Sequence, residues 1–428
     1  MRKFVILLMI FFLTGSFLLA KDPGEIWDLE KLKQPPQAKW GPVREKVVKD
    51  ANGKDQAITT QKVWYQGELY RGKPTTIMAF YSRPKGNGPF PGLVLVHGGG
   101  GTAFSDWTEF WAARGYAAIS IDHFGCEVDG EESSFSNRAR HPLPDGIPSG
   151  TCPNLLKTDM KDTWPYHAVA AVMLAHSLLD AQKDVDPNRT GLTGASWGGY
   201  LTSLAAGIDD RFQTAVPVYG CGGLDVYSWQ KPVFDRFGKE YTQLWKENCD
   251  PNTFLPRVKY PMLFVTGTDD FAFPLEINRS SWEKVPGADV WLGVHMPHSM
   301  PNCLSKEFVT WFDFILKSNK PPLPCLGPIA VQNENGKILV SASVKYHAKP
   351  VKAHLRYSTD KGGYPVDKNG KWGKWNNRNW KFCEAKIADG KVSAVLPDNV
   401  KERPVVFYLD AVDESGNVAS SHFDRVEK

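Results

Sequence analysis

At 428 residues the chain is about three times the length of a typical domain, which predicts two or three domains. Hydrophobic residues at 42% and charged residues at 23% exclude a disordered chain. The 51 Lys and Arg against 47 Asp and Glu leave +4, and no basic run of five or more residues exists. That excludes an electrostatic footprint for nucleic acid.

The N-terminus reads Arg2-Lys3, an apolar run from Phe4 to Leu13, and Thr14 to Ala20 before polar Lys21-Asp22-Pro23. A short basic segment, an apolar core and a small residue at its end predict a cleaved secretory signal over Met1–Ala20. The mature chain is then secreted or periplasmic, with no membrane span. An uncleaved anchor is the competing reading, because Phe4–Ala20 sits at the lower length limit for a span. Seven cysteines in an exported chain suggest disulfides. Their order favours the local pairs Cys126–Cys152, Cys221–Cys249 and Cys303–Cys325, with Cys383 left over, although connectivity does not follow from sequence. None has metal-site spacing, and neither a metal nor a cofactor is expected.

Residues 21–60 are polar and read as irregular. Lys62–Tyr70 and Thr75–Ser82 read as strands joined by the turn Arg71-Gly72-Lys73-Pro74. Short apolar runs follow at Leu93–Val96, Ala117–Ile121, Thr190–Thr193, Thr214–Val218, Met262–Val265 and Val290–Leu292, as suits strands buried on both faces. Helical spacing marks Asp106–Arg114, Lys161–Gln182, Gly198–Ala206, Leu275–Lys284 and Ser305–Lys317. This alternation predicts a doubly wound, mostly parallel α/β sheet over residues 21–320. Two long irregular stretches, His123–Thr158 and Gly220–Lys259, leave the carboxyl ends of strands, where such folds place their sites. Lys320-Pro321-Pro322-Leu323-Pro324 reads as a stiff linker. Beyond it, short strands at Lys337–Lys345, Val351–Ser358, Trp380–Ile387, Lys391–Leu396 and Val405–Asp413 predict a small β-sandwich over 326–428.

Gly194-Ala195-Ser196-Trp197-Gly198 follows a strand and opens a helix, the context of a nucleophile elbow with Ser196 at its tip. His97-Gly98-Gly99-Gly100-Gly101 follows another strand, where an oxyanion loop is expected. The donors would be the N–H of Trp197 and one from Gly99 or Gly100, with His97 anchoring the loop. The order for such a triad is Ser, then acid, then His. Asp269 and Asp270 follow the strand Met262–Val265, and Asp270 is favoured, the other being a turn residue. Of His295 and His298, Pro297 frees His298 onto a loop and favours it as general base; a zinc reading of the two lacks a third ligand. His167 and His176 read as core or surface residues of a helix, while His123 and His141 are candidates to line the site. Trp372, Trp375 and Trp380 read as sandwich core, against a sugar-stacking platform.

Longer strings carry a resemblance. His97–Phe104, Tyr166–Ala170, Gly191–Tyr200 and Pro217–Cys221 resemble exported α/β-hydrolases of the acetylxylan esterase and dienelactone-hydrolase-like group. Ser196–Tyr200 and Asp209–Phe212 are also similar to prolyl oligopeptidase catalytic domains. The resemblance covers residues 60–320 and implies Ser196, Asp270 and His298 as the triad, with Phe271-Ala272-Phe273-Pro274 matching the group's pattern after the acid. Dienelactone hydrolases carry cysteine where this chain has serine, and oligopeptidases carry a large propeller ahead of the sheet. Both departures favour an esterase.

The expectation is therefore a secreted serine carboxylesterase acting on a small or polysaccharide acetyl ester. Trp197 beside the nucleophile favours a short acyl group. The alternatives are a serine peptidase of prolyl-oligopeptidase type and a non-catalytic glycan-binding protein, the latter having no use for a complete triad.

Overall fold

The apolar runs too short for helices build the centre of the protein. In the computed structural model the described residues are 22–150, 155–299, 304–318, 321–364, 371, 373–374, 376–400 and 404–426. Met1–Ala20, Cys152, Cys303, Lys320, Trp372 and Trp375 lie outside them, and so does what was expected of each.

In chain order the elements are β1 (Ala38–Trp40), β2 (Arg44–Lys49), β3 (Asp55–Gln66), β4 (Thr76–Pro84), β5 (Phe90–Val96), α1 (Ser105–Ala112) and β6 (Ala117–Ile121). A small hairpin of β7 (Cys126–Val128) and β8 (Arg140–Pro142) precedes α2 (Trp164–Asp180), β9 (Val185–Ala195), α3 (Trp197–Ala206) and β10 (Thr214–Val218). There follow α4 (Lys231–Asn248), β11 (Leu263–Gly267), α5 (Leu275–Trp282), β12 (Asp289–Gly293) and α6 (Lys306–Phe312). The parallel core runs β6-β5-β9-β10-β11-β12, and antiparallel β4 and β3 extend it beyond β6. Alternation decides which side each strand residue faces. Leu93 and Leu95 pack with Trp107 and Trp111 of α1 and Trp311 of α6, while Val94 and Val96 pack under α2. Every residue from Trp164 to Leu179 is buried, so α2 is apolar all round rather than on one face.

Three differences from the sequence expectation have physical reasons. Residues 21–60 are not irregular: β1, β2 and the first half of β3 lie there. The β2 side chains alternate between half-buried and exposed, so no continuous apolar run announces the strand. Gly220–Lys259 contains α4, whose buried Phe234, Tyr241 and Trp245 have helical spacing that Pro232 and a kink at Gly238 (φ 83°) obscure. The expected Cys221–Cys249 bridge is absent. Cys221 is a buried free thiol, as Cys126, Cys325 and Cys383 are free, and the Cys249 sulfur packs 4.0 Å from that of Met160. Burial pushes the Cys221 thiol well up, so it stays protonated. A core of this size needs no covalent staple.

The C-terminal residues form the expected sandwich. One sheet is β13 (Ala330–Glu334), β14 (Lys337–Ser343), β18 (Lys391–Val395) and β17 (Lys386–Ala388); the other holds β15 (Lys352–Ser358), β16 (Lys381–Glu384), β19 (Val405–Val412), β20 (Val418–Ser420) and β21 (Asp424–Val426). Val340, Leu355, Val392, Phe407 and Leu409 fill the space between them. The stiff linker turns out not to be a free tether. Leu323 and Cys325 are fully buried and pack with Phe308 and Trp311. Further on, Val290 of β12 pairs with Ser420 of β20, which makes the central sheet and a sandwich sheet continuous.

Candidate active site

Ser196 sits between β9 and α3 with φ 59° and ψ −119°, a left-handed conformation that a non-glycine residue adopts only when its surroundings enforce it. Its N–H donates to the Val218 carbonyl (3.0 Å) and its carbonyl accepts from the Tyr200 N–H (2.8 Å). The flanking glycines are steric requirements. A Cβ on Gly198 would run into the Val96 carbonyl, and one on Gly194 would lie 2.5 Å from the Gly198 carbonyl.

The structure brings the three expected residues together. His298 Nε2 is 2.9 Å from Ser196 Oγ and its Nδ1 is 2.8 Å from Asp270 Oδ2. Because the carboxylate only accepts, Nδ1 carries the proton and Nε2 accepts from the serine hydroxyl. Asp270 is fully buried, and its Oδ1 accepts from the Ala272 and Phe273 N–H groups, both at 2.8 Å. That fixes the carboxylate on the tight turn after β11. The imidazole lies between the rings of Tyr219 (centroids 4.4 Å), Phe271 (5.7 Å) and Phe273 (6.0 Å).

The glycine loop lies against the elbow. A Cβ on Gly98 would be 3.0 Å from Ser196 Cβ, and one on Gly99 would be 2.8 Å from Trp197 Cδ1. Gly101 N–H donates to the Gly98 carbonyl (3.0 Å), closing a turn at whose tip Gly100 adopts φ 69°. His97 is fully buried and its Nδ1–H donates to the same Gly98 carbonyl (2.7 Å). His123 stacks on His97 (4.0 Å) and donates from Nε2 to the His97 carbonyl (2.7 Å). Burial pushes its pKa well down, so His123 is a neutral prop beneath the loop rather than part of the cleft wall. His141 lies exposed on the hairpin, paired with Glu127 and Asp129. The Trp197 ring is 2% exposed, packed among Trp164, Tyr200 and Phe273. It also lies against the glycine loop, its Cδ1 2.8 Å from where a Cβ on Gly99 would stand.

Two residues with clear structural parts were not assigned any from sequence. Tyr219 (φ 34°) donates from its hydroxyl to the Ser299 carbonyl (2.8 Å), tying down the loop that carries His298. Tyr364, from the sandwich, donates to the Phe271 carbonyl (2.8 Å) beside the acid. Their signal is weak, since a tyrosine beside a loop is common. His176, by contrast, forms a Thr190–His176–Asp209 chain at 2.8 and 2.9 Å that resembles a triad. All three are fully buried and Arg211 pairs with Asp209, so this chain is structural.

Residues 155–278 match the prolyl oligopeptidase family. The uncharacterized peptidase YuxL of Bacillus subtilis (strain 168) is 26% identical over 208 residues, 45% of this chain. The chain spans only 28% of that relative's length. Among solved structures, the acetyl xylan esterase from Paenibacillus sp. R4 superposes with a TM-score of 0.52 at 21% identity, covering 68% of this chain and 92% of its own. Acetyl xylan esterase 1 from Thermoanaerobacterium sp. JW/SL YS485 gives 0.48 at 18% identity, covering 70% and 94%. The family match over residues 155–278 supports a serine hydrolase. With a parallel sheet, a serine elbow after β9, an acid after β11 and a histidine after β12, the chain has the α/β-hydrolase fold.

Proposed function

We propose that the chain is an exported serine carboxylesterase that removes short acyl groups, acetyl above all, from carbohydrate. Ser196 Oγ attacks the ester carbonyl while His298 Nε2 takes its proton, and Asp270 stabilises the imidazolium that results. The N–H groups of Trp197 and of Gly99 or Gly100 receive the oxyanion, each donor contributing about 3 kcal/mol. His298 then protonates the departing alcohol, leaving an acyl-enzyme. Water attacks that ester by the same route in reverse roles. The observation that carries this reading is the Asp270–His298–Ser196 chain at 2.8 and 2.9 Å beside the glycine loop. Export rests on the Arg2-Lys3 and Phe4–Leu13 pattern. Among the described residues no helix is long and apolar enough to cross a membrane.

A serine peptidase is the second reading, favoured by the family match over residues 155–278. The ester reading is preferred because the likeness to an acetyl xylan esterase covers 92% of that enzyme. Purified protein assayed on 4-nitrophenyl esters of increasing acyl length and on prolyl and alanyl amides separates the two. Fastest turnover of acetyl esters, declining beyond about four carbons, is the outcome expected of the esterase. Efficient amide cleavage with acetyl esters turned over no faster would establish the peptidase instead.

A further inference from the structure

A cavity of about 570 Å³ opens beside the glycine loop, bordered by Gly99, Gly100, Tyr70, Phe124, Arg140 and Ile147. An acetyl group fills only a small part of such a volume, which suits a sugar ring. Tyr70 and Phe124 add aromatic rings to its wall. Arg140 is the one charged side chain on the cavity wall among the described residues.

The surroundings of Arg140 leave its charge uncompensated. It stands on β8 opposite Val128 of β7, partly buried, with one N–H holding the Gly101 carbonyl. The guanidinium carbon lies 5.5 Å from the centre of the Phe124 ring. The carboxylates of the same hairpin are engaged elsewhere. Glu127 accepts from His141 (3.1 Å) and Trp64 (3.2 Å), and Asp129 pairs with the other nitrogen of His141 (3.1 Å). Among the described residues no carboxylate pairs with Arg140. A guanidinium has five N–H donors in a planar fork matched to carboxylate and sulfate, and withdrawing it from water without an anion is costly.

The geometry points to an anion-recognising subsite: the cavity takes an acylated sugar that bears a carboxylate or a sulfate, and Arg140 binds that anion while the ester carbonyl lies at Ser196. This rests on the ester reading above and names its substrate class. The loop that borders the cavity is the one against the nucleophile, since a Cβ on Gly98 would lie 3.0 Å from Ser196 Cβ. One guanidinium would thus hold both the loop, through Gly101, and the substrate.

The test uses the full chain and three acetylated methyl pyranosides: a glucuronide, a 6-sulfated glucoside and a neutral glucoside. We expect kcat/KM for at least one anionic ester to exceed the neutral one by about tenfold or more, as charge-assisted pairing implies. The preference should shrink with added salt. Which anionic ester leads identifies the charged group. Arg140→Gln should bring the ratio to about one and Arg140→Lys should keep part of it, because lysine retains the charge without the fork. The ratio is the readout, since loss of the Gly101 contact alone slows all three esters alike. Equal rates in the parent protein, or a preference that survives Arg140→Gln, overturns the subsite. Hydrolysis of none of the three overturns the ester reading itself.

Discussion

Asp269 and His295 stand 3.1 Å apart and form a second carboxylate–imidazole pair on the same two loops as Asp270 and His298. The His295 side chain is 56% exposed, its backbone is left-handed (φ 54°) and its N–H is held by Thr268 Oγ1 at 2.8 Å. The Asp270–His298 pair is the one that reaches Ser196. Ser196→Ala and His298→Ala should each remove nearly all esterase activity in a folded protein. Asp270→Asn should lower kcat about 10³–10⁴-fold by favouring the wrong tautomer, while Asp269→Asn and His295→Ala stay within about threefold. Steady-state kinetics on an acetyl ester would reverse the assignment if Asp269→Asn were the more damaging.

Tyr219 acts on the base through the loop rather than on substrate. Tyr219→Phe deletes only the hydroxyl that holds the Ser299 carbonyl. We expect kcat to fall about tenfold, a loss of orientation, with KM little changed. A rise in KM at constant kcat would place Tyr219 in substrate binding instead.

Gly99 tests the oxyanion loop. A Cβ there would lie 2.8 Å from Trp197 Cδ1, so Gly99→Ala must shift the loop. Displacing one donor should cost about 10²-fold in kcat. An unchanged kcat would mean that Gly99 contributes no donor.

How much of this was legible in the sequence depends on where each signal was stored. The central strands announce themselves because both faces are buried: Ala117–Ile121 and Thr214–Val218 are buried throughout and apolar but for Ser120 and Thr214. The elbow is legible because backbone contacts at Gly194 and Gly198 permit only glycine. The strand β2 was not, since Arg44-Glu45-Lys46 looks like any polar loop until β3 pairs with it. The fit of the sandwich against the hydrolase was not legible either. Its contacts join residues far apart in the chain, as in Lys345 with Asp289, Arg378 with Glu276 and Arg279 with Asp424.

Stability should weaken in acid through His167. Burial lowers its pKa from 6.5 to about 4, and the ring packs edge-on against Tyr70 and Tyr166. The unfolded chain therefore binds the extra proton first. Its stabilising contribution is complete above pH 6.5, declines as pH falls towards 4, and is lost below that. His123, also lowered by burial, acts in the same direction. In chemical denaturation, His167→Phe should flatten the decline between pH 6.5 and 4. An unchanged slope would remove His167 as its source.

The sandwich is expected to be inseparable from the hydrolase. Lys345 pairs with the buried Asp289 at 2.6 Å, and Tyr346 binds the same carboxylate. Burial raises the Asp289 pKa, and Lys345 opposes that rise. Lys345→Met should cost about 2–3 kcal/mol by leaving the carboxylate half-satisfied, read as a lower Tm. Deleting residues 322–428 removes both partners and the buried Leu323 and Cys325. The truncated chain should lose activity on a small soluble ester. Full activity in a soluble truncation would show that the two parts fold independently.

The pairing of Val290 with Ser420, reinforced by the Leu292 N–H on Ser420 Oγ (3.1 Å), has a colloidal consequence. Without it β12 would be the outermost strand of a parallel sheet, with a row of unpaired backbone groups facing solvent. Such a row is a template on which a second chain can add a strand. The opposite margin is guarded by charge, through Arg44, Glu45, Lys46 and Lys49 of β2. At β12, whose run Val290-Trp291-Leu292 is apolar, the sandwich is a stopper that denies the sheet a seam for growth between molecules.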